Sequence, residues 1–572
     1  MGKRSIQLKM IIPSATPAHT RDPQEGQPPQ EAFALSRSLF GVVGCGLVAV
    51  CLMYWNLSYG VPYYYHPDEP IKAMSSMELV RGRIPPRFNH PHFMLFFSVP
   101  FIHVGRTLGV HPIVAARASV ATLGVATACL LFIIGRSLAG LMAGAGAALI
   151  YATAPLAVVA AHDFKEDIPL ALWLTVQLFF LVSYLRGGRS RDLFLAAGAL
   201  GFAVGTKYTG LIAAPLLVGA LLVGPVSGRR LKALGIAGLL TVVAFLLSTP
   251  SVLRYPGEFL TGLSFEGRHA MSGHGILEPW NTGSGAAAKS PKDPLTISPL
   301  SSLWTYHLRH SLTPGISLAG MFLVMIGAFI AITRGDRAWW VVASGLGLFY
   351  LVLETLPLKP PPFAARYMVA ALPYAALLAG GTIAYARESR LPLKVLVCLL
   401  FAATIGLNGF RSFQQLEAMR PDTRDEARAW ILRNIPHGAR LIIPGLIWYT
   451  PFAGSFHGQN FPYEIAADED PPVPQLLTAS LNPRAYLLVS SFNYERYLDH
   501  PDFNPEMSRF YRSLLEQYTP LATFRVPFRS LGYHNPTIMI FHLAGGPSTQ
   551  TAPSTDVGSD ASAEHRSSPP DR

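Results

Sequence analysis

Residues 192–225 read DLFLAAGALGFAVGTKYTGLIAAPLLVGALLVGP, an apolar stretch with a single charged residue, Lys207, in its interior. A helix needs about 20 apolar residues to cross a hydrocarbon core of roughly 30 Å. The stretch is too long for one span, so it predicts two, 192–206 and 208–225, with a break at Lys207. A lone lysine near a helix end more often reaches the headgroups than binds a ligand. Lys207 is harder to explain in that way, because it interrupts so long an apolar run.

The rest of the chain has the same apolar character. Of its 572 residues 50% are hydrophobic and only 14% are charged, and the mean hydropathy is +0.31. Soluble domains carry nearer about 25% charged residues, so much of this surface must face lipid. We predict a polytopic α-helical membrane protein with about eleven transmembrane helices. The other nine candidate spans are 38–57, 113–135, 139–160, 167–185, 232–250, 313–333, 338–355, 366–386 and 392–410.

Short basic loops set the predicted orientation, because cytoplasmic loops are enriched in Lys and Arg. These loops all fall on one side of the membrane if residues 91–106, which are apolar but short, do not cross it. We therefore predict that 91–106 is a juxtamembrane or re-entrant segment and that the N-terminus is cytoplasmic. The long loops 58–112 and 251–312 and everything after residue 410 are then extracytoplasmic. The net charge of +12 comes from such clusters and forms no stripe that would indicate a nucleic-acid partner.

Beyond the last span, residues 411–545 predict a small extracytoplasmic α/β domain. Thr423-x-x-Glu426 is typical of a capping box that opens a helix. Residues 1–36 and 546–572 are polar and rich in Pro or Ser, which predicts disorder. The four cysteines all lie in apolar runs, with no spacing typical of a disulfide framework or a zinc site. Strands are expected at Arg440–Ile443, Ala485–Val489 and Thr537–His542, and a helix at Met507–Tyr518.

Two acidic motifs fall on the predicted outer face. The first, Tyr65-His66-Pro67-Asp68-Glu69-Pro70, follows the first span, where a pair of carboxylates alone is more often simply solvated. The second, His162-Asp163-Phe164-Lys165-Glu166-Asp167-Ile168-Pro169, sits between two spans with almost no loop. Ionisable groups at such depth are costly and indicate function. Acidic residues before a proline also suit a helix N-terminus, so a structural explanation is equally open.

Cations on the same face complete a reaction inventory; they are Lys207, Lys359 and Arg366. When a phosphate leaves the anomeric carbon of a sugar, cations can neutralise it and no strong general acid is required. One carboxylate must still take the proton of the acceptor hydroxyl. A carboxylate and a basic phosphate clamp therefore suffice for an inverting transfer from a lipid-linked sugar phosphate.

These motifs together resemble the GT-C superfamily of membrane glycosyltransferases, which includes protein O-mannosyltransferases and the lipid A aminoarabinose transferase. Asp68-Glu69 is similar to the acidic pair of their first extracytoplasmic loop, and His162-x-x-Lys165-Glu166-Asp167 to their second acidic motif. Gly205-Thr206-Lys207-Tyr208 is similar to a lysine-containing break between spans. Arg366-Tyr367 before Pro373 is similar to an Arg-Tyr pair that opens a late span. The resemblance covers roughly residues 38–410, and the segment from Asp422 looks like the soluble domain of bacterial members.

The resemblance implies roles for single residues. Asp68 would activate the acceptor and Glu69 would support it, while Lys207, Arg366 and Lys359 would bind the donor phosphate. The second motif (His162, Lys165, Glu166 and Asp167) would complete the site. No cofactor is certain, although Asp68 and Asp167 could share a divalent cation, Mg or Mn. The loop 251–312 is too short for the β-trefoil repeats of eukaryotic O-mannosyltransferases, which argues against a protein acceptor.

The implied function is the transfer of a sugar from a polyprenyl-phosphate lipid to an acceptor hydroxyl, with residues 37–410 as a GT-C-like catalytic domain. Other implied partners are membrane lipid and a glycolipid, polysaccharide or protein acceptor. The implied place is the bacterial inner membrane. The main alternative is a transporter or a flippase for lipid-linked sugars, which would also place charges inside a bundle. Transporters often show inverted repeats with charges near the bilayer centre, whereas here no repeat is visible and the charges collect at one face.

Overall fold

The computed structural model describes residues 30–225, 230–272, 304–356, 364–445, 447–452, 462–468, 484–499, 501 and 504–542. Three predictions lie wholly or mostly outside these residues: the disordered ends, most of the loop 251–312, and Lys359. Residues 30–36, predicted to be disordered, instead form the start of the first helix. The chain divides into two units, residues 1–40 and 41–572. The first unit is described only from residue 30, where the first helix begins, and all the other elements lie in the second.

Helices joined by short turns build the described chain as far as Ala418. Two of the turns, Tyr208–Ala213 and Ala365–Ala371, are 3₁₀-helical, and Leu308–Leu312 forms a single π-helical turn. The helices are α1 (Gln30–Tyr54), α2 (Glu69–Val80), α3 (Phe93–Thr107), α4 (Pro112–Ala139), α5 (Leu141–Thr153), α6 (Pro155–Ala161), α7 (Asp167–Gly187), α8 (Ser190–Val204), α9 (Ala214–Val223), α10 (Arg230–Ser248), α11 (Ser251–Arg254), α12 (Pro256–Ser272), α13 (Thr313–Arg334), α14 (Arg337–Thr355), α15 (Leu372–Ala386) and α16 (Leu391–Ala418).

The predicted fold class is confirmed. Within the described residues seven helices are long and apolar enough to cross a membrane, and the bent pair α5–α6 makes up to eight. Shorter apolar helices occur at Ser38–Tyr54, Phe93–Thr107 and Tyr208–Val223. The exact number of eleven spans is not confirmed. Residues 91–106, predicted not to cross, contain the 15-residue helix α3.

The break at Lys207 is confirmed, because α8 ends at Val204 and a 3₁₀ turn begins at Tyr208. The predicted span 139–160 is not one straight helix, because α5 and α6 meet there at an angle of 59°; the pair is either a broken span or a re-entrant segment. Pro155 explains the bend. It has no N–H to continue the helix, and the residue before it, Ala154, adopts an extended backbone with φ −60° and ψ 118°.

Beyond α16 the residues that the structure describes form a five-stranded sheet and three further α-helices: α17 (Thr423–Asn434), α18 (Ser491–Asp499) and α19 (Pro505–Gln517). The strands are β1 (Arg440–Pro444), β2 (Glu464–Asp468), β3 (Ala485–Ser490), β4 (Ala522–Phe524) and β5 (Ile538–His542). Their order is β2-β1-β3-β5-β4. Strand β1 pairs parallel to β2 and β3, while β5 runs antiparallel to β3 and β4. The three predicted strands and the predicted helix at Met507–Tyr518 are all present.

The predicted capping box is displaced by one residue. Asp422, not Thr423, is the N-cap of α17, and Asp425, not Glu426, bonds back to the backbone of the N-cap residue. The Asp422 carboxylate also pairs with Arg424 at 2.8 Å, and both side chains are buried. The ion pair with Arg424 holds the Asp422 carboxylate at the cap position, an interaction that the hydroxyl of Thr423 could not make.

A loop between β4 and β5 packs back against the membrane-embedded helices. His534 bonds the side chain of Gln415 in α16 at 2.8 Å, and the Gln415 amide donates to the carbonyl of Arg529 at 3.0 Å. Gly532 lies so close to α6 that a Cβ atom there would come within 2.8 Å of Val159. The close packing of this loop, residues 529–535, against α6 therefore requires a glycine at position 532. The loop covers the segment that follows α6.

Candidate active site

The loop that carries Asp68 is anchored by a buried ion pair. Arg117 of α4 donates to both carboxylate oxygens of Glu69, at 2.8 and 2.6 Å, and neither side chain is exposed. Its remaining N–H groups bond the carbonyls of Leu57 and Tyr59. Glu69 also accepts the backbone N–H of Phe164 at 2.7 Å. Glu69 therefore ties the first acidic motif to the second, which fits its predicted supporting role; that role stays a prediction.

The two acidic motifs and Lys207 form a chain of alternating charges. Lys165 Nζ lies 2.5 Å from Asp68 Oδ2 and 3.5 Å from Glu166 Oε2. Glu166 also accepts from Lys72 of α2, and Lys207 Nζ lies 2.6 Å from Asp167 Oδ1. The structure thus brings together residues that are far apart in the sequence, as the predicted sidedness requires.

The charges of this chain set the protonation of its members. Burial alone would raise the pKa of Asp68, but Lys165 and Lys72 hold that pKa well below its usual range. Burial likewise opposes ionisation of Glu166, yet His90 and Lys72 keep its pKa well below normal. Burial lowers the pKa of Lys72 to about 8, despite the attraction of Glu166. Asp68 is therefore an anion at neutral pH, as a proton acceptor must be, and its side chain keeps 37% exposure.

The local sequence explains the geometry of the second motif. Helix α7 begins at Asp167, where an acidic side chain faces the positive end of the helix dipole, and Pro169 fits the first turn. His162 ends α6, and its ring nitrogens contact the carbonyls of Val158, at 2.7 Å, and Trp55, at 2.5 Å. His162, predicted as a site residue, thus contacts backbone carbonyls through both ring nitrogens. These contacts hold the second motif in place, and His162 does not line the cavity.

A small cavity lies beside the charge chain. Asp68 and Lys207 do not line the cavity themselves. Each forms an ion pair with a residue that does: Asp68 with Lys165 and Lys207 with Asp167. Arg366 reaches it from the turn before α15, and its buried Nε and Nη1 have no hydrogen-bond partner among the described residues. Its guanidinium carbon lies 5.4 Å from the ring centre of Tyr533. The lining residues are Leu156, Val159, Ala160, Asp163, Lys165, Asp167, Arg366, Leu531, Gly532 and Tyr533.

The predicted metal ligands are engaged with lysines. Asp68 pairs with Lys165 and Asp167 with Lys207, so an ammonium group stands where a divalent cation would be expected to bind each carboxylate. The described residues contain no group of three His, Cys, Asp or Glu side chains that could hold a metal ion. In this arrangement the described residues do not form the predicted Mg or Mn site, and the divalent cation stays a prediction.

Sequence reasoning missed several residues of this region. Lys72 lies one helical turn after Asp68, a spacing that could have indicated it. Arg117 is a charged residue inside an apolar span, which is a general indicator of function. Asp163 stands within the second motif, yet the motif alone assigns it no role. Tyr533 carries no signal, because it reaches the cavity only through the packing of a distant loop.

One protein-family model matches a part of the chain that includes some of these residues. Residues 90–253 match the family model of dolichyl-phosphate-mannose-protein mannosyltransferases. The match includes the second acidic motif and Lys207, whereas Asp68 and Arg366 lie outside it. No curated protein matches the chain by sequence.

Solved structures of three other proteins are similar to this chain. That of ArnT from Cupriavidus metallidurans bound to undecaprenyl phosphate is 17% identical, and the alignment covers 87% of this chain and 97% of that one, with a TM-score of 0.48. The mycobacterial arabinofuranosyltransferase AftD is 15% identical, and the alignment covers 83% of this chain and 40% of AftD, with a TM-score of 0.38. The S. cerevisiae protein O-mannosyltransferase Pmt1-Pmt2 complex bound to the sugar donor is 17% identical, and the alignment covers 47% of this chain and 40% of that one, with a TM-score of 0.31.

The apolar helices and the charged cavity define an integral membrane protein with a polar site. The family-model match over residues 90–253 agrees with the resemblance drawn from the second acidic motif and Lys207. Over that part the chain is therefore similar to a family of membrane glycosyltransferases.

Proposed function

We propose that this protein transfers a sugar from a polyprenyl-phosphate-linked donor to an acceptor hydroxyl, with inversion, at the extracytoplasmic face of the bacterial inner membrane. One observation carries the proposal: Arg366 brings buried, unpartnered N–H groups into a cavity that also holds Lys165. The family description supports the donor class, because a dolichyl phosphate is a polyprenyl phosphate. The C-terminal domain would be extracytoplasmic and the N-terminus cytoplasmic.

The donor phosphate would bind at Arg366. An arginine presents N–H groups in a planar fork that suits phosphate oxygens, and a buried N–H without a partner costs free energy until an acceptor arrives. Lys165 adds positive charge nearby, and Lys207 balances the negative charge of Asp167 in the cavity wall. As the bond from the anomeric carbon to phosphate breaks, these cations stabilise the charge that develops on the phosphate. Lys359, also predicted to bind the phosphate, remains a candidate.

The acceptor would be activated by Asp68. Its carboxylate stays ionised, is partly exposed, and lies one ion pair from the cavity. It can therefore take the proton of an incoming hydroxyl while the phosphate departs from the opposite face of the sugar, which inverts the anomeric centre. The acceptor class follows from the short loop 251–312, which leaves a glycolipid or polysaccharide favoured over a protein.

Mass spectrometry of the cell envelope tests the function. A strain that lacks this protein is expected to lose one hexose, pentose or amino sugar from a glycolipid or polysaccharide, and the wild-type gene should restore it. A strain that carries the Asp68→Asn protein should show the same loss. If that strain keeps the sugar while the deletion loses it, transport of the donor becomes the better explanation.

Arg366→Gln is expected to weaken binding of the lipid-phosphate donor by about 10- to 100-fold. The expected range assumes that one or two charge-assisted hydrogen bonds, each about 1.5–3 kcal/mol, are partly lost. Lys207→Ala should also weaken donor binding, because Asp167 then adds an unbalanced negative charge to the cavity. Titration calorimetry in nanodiscs measures both, with Arg254→Gln at an exposed position as control. Wild-type donor affinity in Arg366→Gln would remove this residue from the phosphate site.

A further inference from the structure

Asp163 is a carboxylate in the cavity wall that the proposed reaction does not yet use. It lies in the short segment between α6 and α7, is 7% exposed, and lines the cavity together with Lys165, Asp167 and Arg366. Any phosphate bound to Arg366 would therefore share this small space with it. A second anion beside a phosphate is unfavourable, so the protonation of Asp163 matters to whatever binds here.

Asp163 differs from the neighbouring aspartates in its partners. Asp68 is paired with Lys165 and Asp167 with Lys207. The Oδ1 atom of Asp163 instead accepts a hydrogen bond from the neutral phenol of Tyr59. None of the ion pairs in the described part of the chain includes Asp163. Arg117, the nearest buried cation of α4, already holds Glu69 with two hydrogen bonds.

These surroundings favour a proton on Asp163. Burial and the negative charge of Glu69 raise the pKa of Asp163 to about 7, although Tyr59, Arg117 and Arg366 act in the opposite direction. The other charged and titratable groups that line the cavity with it are Lys165 and Asp167 on its own segment and Tyr533 across the cavity; His162 precedes it in the chain, but its ring nitrogens contact the carbonyls of Val158 and Trp55. Two carboxylates whose environments push their pKa values apart, here Asp68 and Asp163, are typical of a base and an acid.

We propose that protonated Asp163 donates a hydrogen bond to the phosphate of the lipid-linked donor and gives it the proton as the sugar leaves. The proposal rests on the proposed function. The acceptor oxygen forms a bond to the anomeric carbon and loses its proton to Asp68. The bond from that carbon to the phosphate oxygen breaks, and its electron pair stays on the phosphate, which takes the proton of Asp163.

The proton balance closes over one turnover. The products are the glycosylated acceptor and a polyprenyl phosphate that carries one proton. Asp68 is left protonated and Asp163 ionised, and exchange with water restores both. The second pKa of a phosphate monoester is about 6. It lies within about one unit of that of Asp163, so the proton can move at little cost.

Donor binding at different pH values tests the proposal. The probe is the methyl diester of a short polyprenyl phosphate, because a diester keeps one negative charge throughout pH 6–8. Wild-type affinity is expected to be constant below pH 7 and to fall toward tenfold per pH unit above it, as Asp163 ionises. Asp163→Asn, which stays neutral, should match the wild type at pH 6 and bind about tenfold more tightly than it does at pH 8.

A second variant and a control separate this effect from misfolding and from other groups. Tyr59→Phe removes a hydrogen bond that lowers the pKa of Asp163, so the fall in affinity should move to higher pH. The pKa of Lys72 is also near 8. Its effect on donor affinity persists in Asp163→Asn, so the difference between the wild-type and Asp163→Asn curves isolates the effect of Asp163. Glu78→Gln removes an exposed carboxylate paired with Arg81 and Arg83, and it should follow the wild-type curve.

Turnover gives a readout that a merely structural role would not change. With the donor identified by the envelope experiment, Asp163→Asn is expected to lower kcat by about 100-fold or more while donor affinity is retained. An unchanged kcat, a flat wild-type binding curve, or a fall that persists in full in Asp163→Asn would overturn the proposal and leave the proposed function standing. Failure of the diester to bind at any pH would instead remove the phosphate site, and both proposals with it.

Discussion

Replacing Asp68 by Asn is expected to abolish sugar transfer, with turnover reduced by about 10²–10⁴-fold. Asparagine keeps the shape of the side chain but cannot take a proton from an acceptor hydroxyl. Lys165, released from its pair with Asp68, still has Glu166 at 3.5 Å, so the second motif should remain in place. Turnover of the purified enzyme with its donor and acceptor measures the effect.

Three observations control this prediction. Asp68→Asn should insert in the membrane at wild-type level and unfold at a similar temperature, because the wild-type side chain is 37% exposed. Its affinity for the lipid-phosphate donor should change by much less than its turnover. Near-normal turnover in a well-folded Asp68→Asn protein would exclude Asp68 as the base and would make the ionised Glu166 the next candidate.

Replacing Arg117 by Met is expected to destabilise the folded protein by about 3–5 kcal/mol, because it leaves the carboxylate of Glu69 buried without a counter-charge. The variant also loses the donors to the carbonyls of Leu57 and Tyr59. Unfolding in detergent, followed by tryptophan fluorescence, measures the change in free energy.

The matched variant is the double replacement Arg117→Met with Glu69→Gln. It removes the uncompensated charge and should recover part of the lost stability, since a neutral amide can still accept from Phe164 N–H. Arg81→Met, in an exposed pair with Glu78, should leave the unfolding midpoint nearly unchanged. Equal stability of Arg117→Met and the wild type would show that the pair contributes nothing to the fold.

The sequence predicted what depends on local pattern. The break at Lys207 followed from the length of one apolar run, and the helix start at Asp167 from an acidic turn before Pro169. Asp68 and Lys165 could be placed on one face because the pattern of basic loops predicted the same side for both, and the structure brings the two side chains into contact. In each case the information lies within a few residues or in a simple count of spans.

What escaped prediction depends on packing between distant segments. The bend at Ala154 needed attention to Pro155 within an otherwise apolar run. The pairing of Lys72 with Glu166 joins residues 94 positions apart, and no periodicity reports it. The exchange of Asp422 for Thr423 at the helix cap followed from the neighbour Arg424. The role of Asp163 depends on which cations its neighbours have already engaged, and only coordinates show that.

The loop formed by residues 529–535 has a consequence for how this enzyme can be divided. Leu531, Gly532 and Tyr533 supply one wall of the cavity beside Arg366, although they come after every candidate span. A protein truncated behind α16 would keep its hydrophobic bundle but would expose the reaction chamber to bulk water. During synthesis the chamber can close only after residues 529–535 have been made, so chains that end before this loop should be inactive in the membrane.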